Sequence, residues 1–270
     1  MMDSISRDKG TIKEKYTGKK QVTAVLVLVF WLGVWQISAI LVGHDLLLVS
    51  PLDVVATLFS QMKEGAFWST VSYSFLRIVS GFLLAIVIGI FLAVLSAANS
   101  VVKALLAPFF SVIKSIPVAS FIILILIWAG SGSLSIIISF LMVLPVIYMN
   151  VLEGILHTDK KLLDMAKVFH VSFPKKLGAI YIPGVMPYFV SSCKIGLGLC
   201  WKSGIAAEVI GLPTGSIGER LYQAKIFLST ADLFAWTIVI VAVSYFFEKV
   251  FLWGLLHFAR HLEKGDAGWI

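Results

Sequence analysis

The chain has 270 residues and a formal net charge of +7, with 59% hydrophobic and only 14% charged residues. Soluble chains have roughly 45–50% apolar and about 25% charged residues, so a soluble fold would lack the polar surface to cover this one. The same apolar content excludes disorder, and two cysteines exclude a disulfide scaffold. We therefore predict an all-α polytopic membrane protein, whose positive charge reflects orientation in the membrane rather than nucleic-acid binding.

Six charge-poor segments are long enough to cross a bilayer, which takes about 20 residues of helix. They are residues 22–42, 78–102, two segments within the charge-free run 115–152, 183–210 and 233–258. The run 115–152 should break at Gly130–Ser133, where turn-forming residues cluster. We expect an N-terminal tail (1–21), a six-helix transmembrane domain (22–258) and a C-terminal tail (259–270).

Positive charge is distributed unevenly between the two sides of this predicted topology. Fourteen lysines and arginines lie in the two tails, at Lys103 and in the loop 153–182, against three on the opposite side. The positive-inside rule therefore places both termini and the loop 153–182 in the cytoplasm. On the outer side we expect a short helix from Asp53 to Lys63, capped by Ser50 or Asp53, and another from Ile217 within the loop 211–230.

The cytoplasmic loop 153–182 has the pattern of a helix–turn–helix. Thr158 can cap a first helix, along which Leu162, Ala166 and Phe169 recur at i, i+4 and i+7 as an apolar stripe.

The stripe ends at an elbow at His170, after which Ser172 and Pro174 can begin a second helix. A loop this short has no core of its own, so its stripe needs either a partner protein or the lipid surface, and the residues alone leave both open.

Several motifs in this chain follow the spacing of importer-type ABC permeases. The loop resembles their E-A-A-x3-G-x9-I-x-L-P motif at Asp164–Ala166, His170, Ile180 and Ile182–Pro183. His170 replaces the usual elbow glycine, where a positive φ is expected and histidine is one of the residues that adopts it. Further matches are Ser50–Pro51, Thr70 to Arg77 with Gly81–Phe82, Ser115–Ala119 with Trp128–Gly132, and Trp201 with Ala206–Glu208 and Gly215–Gly218. The chain looks most like the subgroup for nitrate, sulfonates, taurine, bicarbonate and thiamine precursors.

The resemblance implies a permease subunit of an ATP-driven importer in the bacterial cytoplasmic membrane, without enzymatic activity of its own. The chain contains no G-x-x-x-x-G-K-[ST] phosphate loop, so ATP and Mg²⁺ would bind two copies of a partner ATPase, and this chain would hold no cofactor or metal. A second permease copy, giving a homodimer, and an extracytoplasmic substrate-binding protein complete the implied partners besides the lipid bilayer, with no nucleic acid. The residues implied to dock the ATPase are Leu162, Asp164, Met165, Ala166, Phe169, His170 and Pro183.

Polar and charged residues within the spans are candidates for the translocation pathway, because such groups are costly in lipid. These candidates are Lys114, Ser115, Pro117, Lys194, Trp201, Lys202 and Glu208. Lys202 could bind an anionic substrate or form a structural ion pair. Trp201 could line a pore or pack against other helices. Glu208 could cap the outer end or pair across a dimer. Gly196 and Gly198 are consistent with a dimer seam.

The resemblance indicates a small anion or a small organic molecule as substrate. The alternative function is a secondary transporter that works without an ATPase.

Overall fold

The computed structural model describes residues 22–23, 25–44 and 46–266, so the predicted N-terminal tail lies outside the described residues. The described residues form helices and turns only. In chain order the helices are α1 (Val25–Val42), α2 (Pro51–Met62), α3 (Gly65–Ala98), α4 (Ser100–Ser115), α5 (Val118–Ala129), α6 (Leu134–Leu156), α7 (Lys160–Val168), α8 (Phe173–Lys176), α9 (Ile182–Gly211), α10 (Ile217–Ile226) and α11 (Thr230–Asp266).

The predicted fold class is confirmed: the chain is an all-α membrane protein with several long apolar helices. Among the described residues, α1, α3, α6 and α11 are long and apolar enough to cross a membrane, and the bent pair α4–α5 makes a fifth candidate. The fifth predicted span corresponds to α9, whose 30 residues are about 45 Å long. α9 is not among these candidates, and its three charged side chains lower its hydropathy, so the described residues give four or five candidate spans where six were predicted. The last helix, α11, continues past the predicted end at 258 to Asp266.

The predicted third span differs in shape from the observed one. A straight helix from Ser115 is wrong, since α4 ends there and α5 leaves at 105° as a helix of only 12 residues. Ile116 is extended (φ −76°, ψ 130°) because the ring of Pro117 disfavours helical backbone in the preceding residue. Lys103, predicted in a loop, lies within α4. The predicted break after α5 is confirmed, with Gly130 at φ 67°.

The predicted second span begins and ends in the wrong places. Its helix, α3, starts 13 residues earlier, at Gly65, and stops at Ala98 instead of Val102. Asn99 ends it because its backbone is extended and its side-chain oxygen accepts a hydrogen bond from the Val101 amide at 2.8 Å, which starts α4.

The described residues form two compact units, one made of those up to Gln61 together with residues 224–235, and the other of residues 62–223 and 236–266. In the first, the Trp35 indole donates to the Val49 carbonyl at 3.1 Å, and the Gln61 amide donates to Asp232 at 2.6 Å. The predicted cap of α2 is also confirmed, since the Asp53 amide donates to the Ser50 hydroxyl at 3.2 Å.

In the second unit, α3, α6 and α9 pack closely together, and we call these three helices the central bundle. Small residues permit this approach, because a Cβ on Gly81 would lie 2.4 Å from the Ile136 carbonyl oxygen. A Cβ on Gly196 would lie 3.0 Å from Val143, so Gly196 faces this bundle and the predicted dimer seam is wrong for it. A Cβ on Gly198 would have no atom of the described residues within 4 Å.

Candidate functional site

Helix α7 lies in the loop 153–182, and Asp159 caps its start. The Asp159 side chain accepts a hydrogen bond from the Lys161 amide at 2.8 Å. The predicted Thr158 cap is wrong, because the buried Thr158 hydroxyl instead donates to the Gly154 carbonyl at 3.3 Å, in the last turn of α6. Ser172 precedes α8 as predicted, although its side chain makes no capping bond there.

The elbow after α7 is a Schellman motif with His170 in the position usually held by glycine. The Val171 amide donates to the Ala166 carbonyl at 2.9 Å, and the His170 amide donates to the Lys167 carbonyl at 3.1 Å. His170 has φ 49°, so the positive φ expected from the sequence is confirmed. Two backbone bonds therefore hold the turn, and the imidazole ring is exposed to solvent.

The predicted docking residues divide between two faces of α7. Ala166 is only 3% exposed, so it cannot belong to the same exposed stripe as Leu162 and Phe169. Asp164 is exposed and pairs with Lys167 at 3.1 Å, while Pro183 lies exposed in the first turn of α9.

Five exposed apolar side chains between Leu162 and Phe173 form what we call the loop patch, and sequence reasoning missed two of them, Val168 and Phe173. The loop patch consists of Leu162 (42% exposed), Met165 (53%), Val168 (74%), Phe169 (73%) and Phe173 (69%). An i, i+3, i+6 spacing from Leu162 would have found Val168, because apolar residues occupy both faces of this short helix.

The predicted pathway residues fall into three groups. At the α4–α5 bend, Lys114, Ser115 and Pro117 are exposed, and the Lys114 ammonium lies 3.3 Å from the Met149 sulfur. On α9, Lys194 and Lys202 are exposed, whereas Trp201 and Glu208 are buried among the helices of the chain.

Trp201 packs in an aromatic cluster. Its ring lies 6.1 Å from Phe75 and 6.5 Å from Phe247, and only 4% of the residue is exposed. This favours the packing alternative over a pore-lining role.

Glu208 is a fully buried carboxylate near the end of α9. It accepts hydrogen bonds from the hydroxyls of Ser74 at 2.7 Å and Ser135 at 3.1 Å, and from the Gly218 amide at 3.3 Å. The Ser74 hydroxyl in turn accepts from the Ile217 amide at 2.9 Å. Glu208 therefore caps the start of α10. This agrees with the capping role in the first predicted alternative, whereas its position at the outer side of the membrane stays a prediction.

The exposed residues of α9 lie along one side of the helix. They recur at three- and four-residue intervals, and we call them the uncovered stripe: Pro187, Ser191, Lys194, Ile195, Gly198, Leu199 and Lys202. The intervening residues, such as Cys193, Leu197 and Cys200, are buried in the central bundle. A helix that packs on only one side leaves its other side to lipid, to a partner or to a cavity.

Comparison with known proteins identifies relatives along most of the chain. It is 23% identical to the putative aliphatic sulfonates transport permease protein SsuC of Bacillus subtilis, over 98% of this chain and 95% of that protein. It is 24% identical to the taurine transport system permease protein TauC of Escherichia coli (84% of this chain, 83% of that protein). It is 28% identical to the bicarbonate transport system permease protein CmpB of Synechococcus elongatus (71% and 69%).

The fold is similar to that of a chain in an inward-facing structure of the MetNI methionine ABC transporter. The TM-score is 0.54 with 16% sequence identity, covering 72% of this chain and 93% of that one. Residues 85–264 match the family described as binding-protein-dependent transport system inner membrane component. This match includes the loop, its elbow and the uncovered stripe, and it covers well over half of the chain. The chain therefore belongs to this family of ABC importer permeases, multi-pass proteins of the bacterial plasma membrane that carry no enzymatic activity.

Proposed function

We propose that this chain forms the transmembrane pathway of an ABC importer and is driven through its loop 153–182 by a separate ATPase. The observation that carries the proposal is the loop patch, which places several large apolar side chains in solvent on a loop that has no core to bury them. An exposed patch of this kind next to charged residues is typical of a protein-binding surface.

In this proposal, two ATPase copies, which bind the ATP and Mg²⁺, contact the docking residues of two identical permease copies. The region 22–258 is the membrane domain, and the tails 1–21 and 259–270 lie in the cytoplasm with the loop. An extracytoplasmic binding protein delivers the substrate to the other side. The exposed candidates Lys114, Ser115, Pro117, Lys194 and Lys202 border the pathway, and Trp201 and Glu208 support it from inside the helix packing.

The substrate proposed for this importer is a small anion or a small organic molecule. The names of the relatives support it, since those proteins are described as permeases for aliphatic sulfonates, taurine and bicarbonate.

The test is recovery of the ATPase encoded beside this gene when the permease is purified from membranes by a tag. Met165→Glu and Phe169→Glu should each reduce recovery at least tenfold, because a charge cannot be buried unpaired in an apolar interface. Asp164→Lys should reduce it and uncouple transport from ATP hydrolysis. Phe59→Glu is the matched control, since Phe59 is 61% exposed on α2, which is predicted on the other side of the membrane.

Normal ATPase recovery with all three loop variants would contradict the docking proposal. A chain that purifies alone and transports substrate in vesicles without ATP would favour the secondary-transporter alternative instead.

A further inference from the structure

The two lysines of the uncovered stripe lie deep within α9. Lys194 is twelve residues after Ile182, or about 18 Å along a helix about 45 Å long, and Lys202 lies about 12 Å further. If α9 is centred in the bilayer, both positions fall within the hydrocarbon core, which is about 30 Å thick. They lie on either side of its middle, where a side chain has the longest path to either interface.

Neither lysine has a charged partner within the part of the chain that the structure describes. Among the described residues, no hydrogen bond or ion pair reaches the ammonium group of Lys194 or Lys202, and the uncovered stripe contains no acidic residue. An unpaired ammonium facing lipid at this depth is strongly unfavourable, so such residues face a water-filled cavity or a partner. The stripe is therefore unsuited to lipid at Lys194 and Lys202.

Space is present beside the stripe. A cavity of about 410 Å³ is lined by residues that include Pro187, Ser191, Lys194 and Leu256. Further along, the backbone of Gly198 is open, since none of the residues that the structure describes has an atom within 4 Å of a Cβ placed there. A solute of a few heavy atoms can thus approach the helix closely between the two lysines.

We infer that the uncovered stripe is a cationic wall of the translocation pathway, with Lys194 and Lys202 as two successive binding positions for a small solute bearing a carboxylate or sulfonate group. Ammonium groups only donate hydrogen bonds, so two of them without a nearby acid select an oxyanion. This inference rests on the proposed function, because a pathway between two permease copies is what brings solute to this face.

The test uses the full complex with its ATPase in membrane vesicles and two thiol reagents of opposite charge. In a background with the buried Cys193 and Cys200 replaced by alanine, Ser191→Cys and Gly198→Cys each place one thiol on the stripe. The probes are the negatively charged sulfonatoethyl and the positively charged trimethylammonioethyl methanethiosulfonates. A cavity lined by one sign of charge raises encounter rates of the opposite sign roughly tenfold or more. The measured quantity is the rate with the anionic reagent divided by the rate with the cationic reagent. We expect this ratio to be at least tenfold higher at the stripe cysteines than at Ser69→Cys, at the exposed start of α3.

Two further sets of variants complete the design. Lys194→Gln and Lys202→Gln should each lower the preference for the anionic reagent, while Lys194→Arg and Lys202→Arg should keep it. Val87→Cys, on an apolar and 66% exposed face of α3, should react with neither reagent. Recovery of the ATPase with each variant shows that the complex has assembled.

Each other outcome has a definite meaning. Equal rates with the two reagents would overturn the anion inference and leave the proposed water-filled pathway standing. No reaction at either cysteine in an assembled complex would show a sealed helix contact and overturn both the cationic wall and the pathway on this face. Loss of the ATPase in the parent complex would be a failure of the proposed function itself.

Discussion

At the scale of single residues, the carboxylate of Glu208 joins three helices of the chain. It accepts hydrogen bonds from a serine on α3, a serine on α6 and the first turn of α10, and it is completely buried. A buried carboxylate is tolerated only when such donors surround it. Glu208 therefore acts as a structural residue that fixes the end of the central bundle next to α10.

Replacing Glu208 by alanine should destabilise the protein measurably. It would leave the Ser74 and Ser135 hydroxyls and the Gly218 amide without their acceptor, at a cost of about 1–3 kcal/mol for each buried group that finds no substitute. Glu208→Gln keeps one acceptor oxygen and should therefore lower the stability less than Glu208→Ala does. Thermal unfolding of the detergent-solubilised protein measures the difference, with the exposed Glu64→Ala as control. Equal midpoints for Glu208→Ala and Glu64→Ala would show that this network contributes nothing.

At the scale of helices, close approach of α3 and α6 depends on glycine. A Cβ on Gly81 would lie 2.4 Å from the Ile136 carbonyl oxygen and 2.9 Å from the Ser139 Cβ. The first of these is backbone, which cannot move aside as a flexible side chain can. The two helices would have to separate to admit even a methyl group, and α9 packs against both.

Gly81→Ala should therefore lower the thermal midpoint of unfolding, since forced overpacking costs about 1–3 kcal/mol. Gly254→Ala is the matched control on α11, because a Cβ there would have no atom within 4 Å in the described part of the chain. That control should be neutral or slightly stabilising, as alanine favours helix over glycine by up to about 1 kcal/mol. A Gly81→Ala protein as stable as the parent would mean that the two helices have room to separate.

At the scale of the whole molecule, the distribution of charge predicts the orientation of the protein in the membrane. The loop with the elbow carries lysines on both of its helices, including Lys160, Lys161, Lys175 and Lys176, whereas the linker that contains α2 has few cations. Cationic segments are retained on the cytoplasmic side during insertion.

Fusions of green fluorescent protein and alkaline phosphatase at defined points measure this orientation. A fusion after Ile270 or within the loop at Gly178 should fluoresce and have little phosphatase activity. A fusion at Gly215, in the loop before α10, should show the reverse pattern. Its phosphatase activity should be at least tenfold higher, and its fluorescence at least tenfold lower, than at Gly178. The same reporter signal at Gly178 and Gly215 would contradict the predicted topology.

Features that depend on neighbouring residues along the chain were predictable from the sequence. Long apolar runs identify the chain as a membrane protein, because a helix needs about 20 apolar residues to cross a bilayer. The helical loop, the elbow at His170 and the break at Gly130 follow from local turn and capping preferences. Pro117 also indicates the bend between α4 and α5. The span prediction missed this bend because it relied on a charge-free run, and hydropathy does not report the direction of a helix.

Only the tertiary structure decided which face of each helix is covered. Ala166 and Leu162 belong to the same apolar stripe in the sequence, yet Ala166 is buried and Leu162 is exposed. Glu208 lies 134 residues from Ser74, so no local pattern indicates their hydrogen bond. The uncovered stripe of α9 likewise exists because α3 and α6 occupy its other side. Burial is a property of contacts between distant segments, whereas hydropathy and turn chemistry are properties of the residues themselves.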